Sequence, residues 1–228
     1  RSTVKPQRAT VGLFSDHTGI FVLPQQPEVL FRWSLNANNQ IERFTHDRPF
    51  TTVTGVYTCE DYLFISYLDS KTLVYNPTGV LQYTWPDIAV DQVLALHTDI
   101  WLVGCSQRES VLFMDRFTGA QKQELVVPGG RLGGGAAPSG FGMTIAWDPV
   151  NNMLAVGAPF QDQVNGSVEQ GLVFFYLVDT NLEATPAQVV VPEAVPASGA
   201  AHFGKQVWYT APGVFRLYQE KLKSDNYV

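Results

Sequence analysis

The chain has 228 residues, of which 45% are hydrophobic and only 16% charged, with a net charge of −6. Its 15 Lys and Arg are scattered, and phosphate recognition needs them clustered, so a nucleic-acid partner is excluded. No apolar run approaches the ~20 residues of a membrane-crossing helix, so no membrane-spanning segment is expected.

A low charged fraction with 14 Phe and 9 Tyr suits many short, mostly buried strands. Sustained helical periodicity is absent. Short runs rich in Val, Leu, Ile, Phe and Tyr are bounded by Gly, Pro, Asn and Asp, the signature of strands and turns. The first four runs are Val11-Gly12-Leu13-Phe14, Ile20-Phe21-Val22-Leu23, Val29-Leu30-Phe31-Arg32-Trp33 and Ile41-Glu42-Arg43-Phe44. Ser15-Asp16 follows the first run, and Asn36-Ala37-Asn38-Asn39 precedes the last. The layout then repeats. Gly55-Val56-Tyr57 leads through Glu60-Asp61 to Leu63-Phe64-Ile65-Ser66, Thr72-Leu73-Val74-Tyr75, the turn Asn76-Pro77-Thr78-Gly79, and Val80-Leu81-Gln82-Tyr83-Thr84-Trp85.

A third copy runs Val93-Leu94-Ala95-Leu96, Asp99, Trp101-Leu102-Val103-Gly104, Val111-Leu112-Phe113-Met114, Asp115-Arg116-Phe117-Thr118-Gly119, then Lys122-Gln123-Glu124-Leu125-Val126-Val127. The fourth opens at Phe141-Gly142-Met143-Thr144-Ile145-Ala146. It continues through Leu154-Ala155-Val156-Gly157 and Leu172-Val173-Phe174-Phe175-Tyr176 to the turn Asp179-Thr180-Asn181. A fifth begins at His202-Phe203-Gly204-Lys205-Gln206-Val207-Trp208-Tyr209 and Gly213-Val214-Phe215-Arg216-Leu217-Tyr218, and stops after two strands. Asp and Asn recur in the turns because they tolerate turn dihedrals and bond the turn backbone.

The early repeat length of about 40 residues is close to the ~40–45 of one propeller blade. The expected fold is therefore all-β, a β-propeller of four-stranded antiparallel blades, with about 4.5 blades in the sequence. The blades fall at residues 1–48, 49–88, 89–132 and 140–195, with a partial one at 201–220, in one domain or a fragment of a larger propeller. The start Arg1-Ser2-Thr3, without an initiator Met, reads as a processed chain or a piece of a longer one.

The segment Phe141-Gly142 … Val156-Gly157-Ala158-Pro159, followed by Gly171-Leu172-Val173-Phe174, resembles the FG-GAP repeat of integrin alpha chains and many microbial surface proteins. Phe203-Gly204 is similar to the start of another copy, whereas the first three blades lack both halves. Their turn at Asp115-Arg116-Phe117-Thr118-Gly119 resembles the Asp-x-x-Thr-Gly turn of quinoprotein-type repeats. The resemblance implies a propeller that binds another macromolecule, often at a surface, and so a surface or extracellular location. It also implies a calcium loop in some members. The corresponding stretch here, Asp148-Pro149-Val150-Asn151-Asn152, carries one carboxylate. Calcium takes six to eight oxygens, several of them charged, so neither calcium nor any other metal or cofactor is expected.

The glycine run Gly129-Gly130-Arg131-Leu132-Gly133-Gly134-Gly135 lacks the Gly-Lys-Ser/Thr of a phosphate loop and reads as a connector between blades. The long loop after Gly-Ala-Pro, residues 161–170, is the best candidate for partner contact, because loops carry recognition on a rigid scaffold. Its candidate contact residues are Gln161, Asp162, Asn165 and Glu169, with Arg131 from the connector. Asn165-Gly166-Ser167 is also a glycosylation sequon.

No serine elbow, paired histidine spacing or activated cysteine is present, so no catalytic residue is assigned. Cys59 and Cys105 fall at opposite ends of their strands and are expected as free thiols. Trp33, Trp85, Trp101, Trp147 and Trp208 stand at strand positions, where core packing competes with a glycan platform. The expected function is a non-enzymatic interaction module, part of a larger surface, adhesion or assembly protein, with a protein partner. The alternatives are an accessory domain of a hydrolase or quinoprotein-like oxidoreductase, a carbohydrate-binding lectin, and a structural subunit of a large assembly such as a virion.

Overall fold

The computed structural model describes residues 10–15, 19–24, 29–34, 41–45, 53–128, 138–161, 170–191 and 202–219, with side chains described from residue 53 onward. Arg131, Asp162, Asn165 and Glu169 lie outside the described residues. The chain forms two compact units, Arg1–Ala89 and Val90–Val228.

The first unit holds two antiparallel sheets. One is β1 (Thr10–Ser15), β2 (Gly19–Pro24), β3 (Val29–Ser34) and β4 (Ile41–Thr45), in that order. The other is β5 (Val53–Cys59), β6 (Tyr62–Tyr67), β7 (Thr72–Tyr75) and β8 (Leu81–Trp85). In the second sheet Val56, Leu63, Ile65, Tyr67, Leu73 and Tyr75 form one apolar cluster. Two buried hydroxyls are satisfied locally: Ser66 and Thr72 share a hydrogen bond of 2.8 Å, and the Thr72 hydroxyl donates to the Ile88 carbonyl at 2.6 Å. The turn into β8 is an Asx turn. Asn76 Oδ1 accepts from the Thr78 and Val80 N–H groups at 3.1 and 2.8 Å.

The second unit holds two further four-stranded antiparallel sheets and a two-stranded one. The third sheet comprises β9 (Gln92–Ala95), β10 (Ile100–Cys105), β11 (Ser110–Asp115) and β12 (Gln121–Val126). The fourth comprises β13 (Thr144–Asp148), β14 (Met153–Ala158), β15 (Leu172–Val178) and β16 (Ala184–Val190). The fifth is the hairpin β17 (Phe203–Ala211) and β18 (Val214–Gln219).

The apolar runs read from the sequence land on the second and third strands of these sheets. Every residue of β10 is buried, as is almost every residue of β11, β14 and β15, while β12 and β16 are largely exposed. A strand covered on both faces shows no polar alternation, which is why the middle strands read as continuous apolar runs. Two layers result. Leu102, Val111 and Phe113 of the third sheet cluster with Ile145, Trp147, Leu154, Val156 and Phe174 of the fourth. The fourth sheet's other face, Ala146, Ala155, Val173 and Phe175, packs on Val207, Phe203, Tyr209, Phe215 and Leu217 of the fifth.

The corner turns between third and fourth strands share one design. Asp115 Oδ1 accepts from the Phe117 and Thr118 N–H groups, and Asp179 Oδ1 from those of Asn181 and Glu183. The Thr118 N–H and the Lys122 ammonium, 3.1 Å away, hold the Asp115 carboxyl down at about 2. Trp85, Trp101 and Trp147 are buried, so their role is packing; Trp208 is 46% exposed.

Candidate interaction site

The sheets of the second unit are joined by a device used twice. The registered pairs Gln92↔Gly104 and Thr144↔Gly157 occupy the same place in the third and fourth sheets. Gln92 Oε1 accepts from the Ile145 N–H of the next sheet at 2.8 Å, and Thr144 Oγ1 accepts from the Val207 N–H of the one after at 3.2 Å. Beside each latch a glycine admits a carbonyl of the neighbouring sheet. A Cβ on Gly104 would collide with the Gly142 oxygen, and one on Gly157 with the Gly204 oxygen. The Phe-Gly and Val-Gly-Ala elements of the sequence are thus the two sides of one contact. Phe141 fills the same seam, with its ring 5.4 Å from Phe174 and 6.4 Å from Tyr176.

The two ends of the loop nominated from the sequence lie beside this seam. The chain leaves at Gln161 and returns at Gln170, which are 1% and 7% exposed. Gly171 N–H donates to the Gln161 carbonyl at 3.1 Å and so pins the two ends together. The third sheet contributes Glu109, which accepts from the Ser139 N–H; the Ser139 carbonyl in turn accepts from Phe160 N–H at 2.9 Å. On the other side the Gln170 carbonyl accepts from the Phe203 N–H at 2.9 Å, and His202 meets the Phe160 ring edge-on at 5.0 Å. Residues of three sheets therefore converge on the loop's base. Gln161 sits beneath the surface as an anchor of that base.

The stretch aligned with a calcium loop is occupied by protein donors. The buried Asp148 carboxylate accepts from Val150 N–H at 2.9 Å, Asn151 N–H at 3.3 Å, Asn151 Nδ2 at 2.7 Å and Gly213 N–H at 2.7 Å. Burial alone would raise its pKa, but the Gly213 N–H and the Asn151 and Val150 donors together lower it. Asp148 ties the β13–β14 turn to the β17–β18 turn. Among the described residues no three of His, Cys, Asp and Glu are grouped to hold a metal.

Two groups outside this site are perturbed. Burial, and secondarily the Asp91 charge, pushes the Cys105 thiol up to about 12, so it is not a nucleophile at neutral pH. Burial raises Asp91 in spite of hydrogen bonds from Ser106. No described helix is long and apolar enough to cross a membrane.

The exposed face of the fifth sheet was missed by sequence reasoning. The pair Gln206↔Tyr218 is the third copy of the Gln92↔Gly104 position, with a tyrosine where the other sheets have glycine. Trp208 and Arg216 are the next facing pair, standing where the fourth sheet has Ala146 and Ala155. Trp208, Val214 and Tyr218 are 46–50% exposed. The signal was available: small residues at these positions in one blade and large ones in the next.

No family model matches the sequence, and no curated protein matches it. Solved structures do. Hsv2 of Kluyvelomyces marxianus superposes with a TM-score of 0.58 at 12% identity, covering 95% of this chain and 64% of that one. A chain of the mitotic checkpoint complex gives a TM-score of 0.61 at 11% identity, covering 92% and 58%. A chain of Kuenenia stuttgartiensis hydrazine synthase gives 0.53 at 9%, covering 78% and 47%. The chain spans less than two thirds of the length of these neighbours. The fold is an all-β propeller of four-stranded antiparallel blades, with about four blades visible.

Proposed function

We propose that this chain is a non-enzymatic β-propeller interaction module that binds a protein partner through its face loops, with residues 161–170 as the principal contact. The observation that carries this reading is the loop's base. Gln161 and Gln170 are buried, Gly171 closes the ends, and residues of three sheets hold the mouth. Recognition is carried by loops on a rigid scaffold, and the described ends of this segment are held by such a scaffold. Asp162, Asn165 and Glu169 are the residues assigned to contact, with Arg131 from the neighbouring connector.

The checkpoint-complex neighbour was solved as part of a complex, which supports partner binding by this fold and names no partner here. Kinship with FG-GAP repeats is part of the proposal, supported by the Gly157–Gly204 approach, in which the Gly-Ala-Pro glycine of one sheet admits the carbonyl of the next sheet's Phe-Gly. A surface, adhesion or assembly role follows from that kinship, and the repeat spacing supports a single propeller domain, or a fragment of one, with blades at the boundaries given above.

The test replaces residues 162–169 with a Gly-Ser linker of equal length. Because the anchors Gln161, Gln170 and Gly171 are kept, the melting temperature stays within a few degrees, and the protein that co-purifies with the native chain is lost. Retention of that protein by the replaced chain would overturn the assignment.

A further inference from the structure

The β17–β18 hairpin is fastened at three heights. At its turn, Gly213 N–H donates to the buried Asp148 carboxylate at 2.7 Å. At its middle, Val207 N–H donates to Thr144 Oγ1 at 3.2 Å. At its start, Phe203 N–H donates to the Gln170 carbonyl at 2.9 Å. Between these points Val207, Tyr209, Phe215 and Leu217 pack on the fourth sheet. The Asp148 fastener is the strong one, because its acceptor is charged. Val150 N–H, Asn151 N–H and Asn151 Nδ2 grip the same carboxylate from within the β13–β14 turn, so it is aimed at Gly213 by its own turn. The nine residues of β17 span about 30 Å as a strand, which puts Asp148 and the Phe203 anchor at opposite ends of the hairpin.

We infer that this hairpin docks and releases as one unit, and that its docking sets the anchorage of Gln170 and Gly171. Two strands alone are marginally stable in water, so the hairpin keeps its shape by lying on the fourth sheet. Release at the turn therefore costs the whole ladder, Phe203 included, in the manner of a cooperative local opening. The start of the hairpin is also a wall of the 161–170 segment. A Cβ on Gly171 would collide with the Phe203 backbone, and Gly171 N–H is the group that closes on the Gln161 carbonyl. The departing end has a separate hold, Phe160 N–H on the Ser139 carbonyl. Asp148 is thus a positioning residue for the returning end, acting along the length of the hairpin. Its bearing on partner binding rests on the reading of residues 161–170 as the contact segment, whose described return end the hairpin holds.

Native-state hydrogen exchange, read by NMR on the free 228-residue chain at neutral pH, tests this. The Gly213, Val207, Phe203 and Gly171 amides should share one opening constant within about 3-fold, and it should exceed that of the fully buried strand β10 by about 10-fold or more. Asp148→Asn should raise the constant by about 10-fold at all four amides alike. Thr144→Val, which cuts the middle fastener, should raise the same four by a smaller common factor, and it decides the matter if Asp148→Asn misfolds. Hairpin amides that exchange no faster than those of β10 overturn the inference, because the hairpin then opens only with the whole unit. So does a rise confined to Gly213 in Asp148→Asn, which would be fraying of the turn. So does a Gly171 amide that keeps the protection of β10 while Phe203 opens, since the hairpin would then anchor nothing. No partner is present in this measurement, so its outcome is separate from that of the linker replacement, which tests the contact segment itself.

Discussion

Replacing Gly157 with alanine separates two opposing effects of known sign. In an ordinary strand, exchanging Gly for Ala stabilises by about 0.5–1 kcal/mol, because the unfolded chain loses freedom. At Gly157 the new Cβ falls closer than 3.0 Å to the Gly204 carbonyl oxygen and to Thr144 Cγ2, a separation that Cβ atoms essentially never show. The first neighbour is backbone and cannot rotate away, so the fourth and fifth sheets must separate. Overpacking of this kind costs about 1–3 kcal/mol. The Thr144–Val207 latch lies in the same seam, and its loss adds about 1 kcal/mol. The balance is a net loss of about 2 kcal/mol, which for a chain of this size lowers the melting temperature by about 4–8 °C. Gly104→Ala should behave alike through the Gly142 oxygen and the Gln92 latch, and Val150→Ala, on an exposed turn residue, should change nothing measurable. Urea unfolding followed by tryptophan fluorescence and calorimetry reads all three. A Gly157→Ala protein as stable as the parent would refute the seam as described.

Three further outcomes follow from the same geometry. Asp148→Asn replaces one acceptor oxygen by a donor among four donors, and lowers the melting temperature at pH 7. Because its folded pKa is depressed, its stabilisation is present above the ordinary carboxylate value of about 4 and lost as pH falls below it. The native and Asp148→Asn melting curves should therefore converge in acid; curves that stay parallel from pH 7 to 3 would count against it. Asp115, held at about 2, loses its contribution to the corner turn between about pH 4 and 2, and amide exchange at Phe117 and Thr118 should rise over that window. Tyr176→Phe removes a buried hydroxyl that has no hydrogen-bond partner among the described residues, and should stabilise by about 1 kcal/mol in chemical denaturation; a loss of 1 kcal/mol or more would mean the hydroxyl is satisfied.

The strands were legible because middle strands covered on both faces leave unbroken apolar runs, as at Leu154-Ala155-Val156-Gly157. The corner turns were legible from Asn76, Asp115 and Asp179, whose side-chain Oδ1 atoms accept from the turn backbone N–H groups. Edges were less so. The run from Val93 omits Gln92, because a polar residue does not extend an apolar pattern, yet Gln92 is in the strand and latches the next sheet. The role of Gln161 was hidden for the same reason: an amide in a loop reads as solvated, and here its burial follows from main-chain bonds to Gly171 and Ala158. Trp208 read like its four counterparts, and only the alignment of Ala146, Ala155 and Gly157 with Trp208, Arg216 and Tyr218 sets it apart.

The claim that the residue 161–170 loop carries the partner is tested most directly by site-specific photo-cross-linking. A photoreactive amino acid is placed at Asn165, and separately at Val189 on the exposed outer strand β16. In extract of the source cells, Asn165 should yield one dominant protein adduct, competed away by unlabelled native chain, and Val189 should yield none. Equal adducts from both positions, or adducts from Val189 alone, would contradict the account.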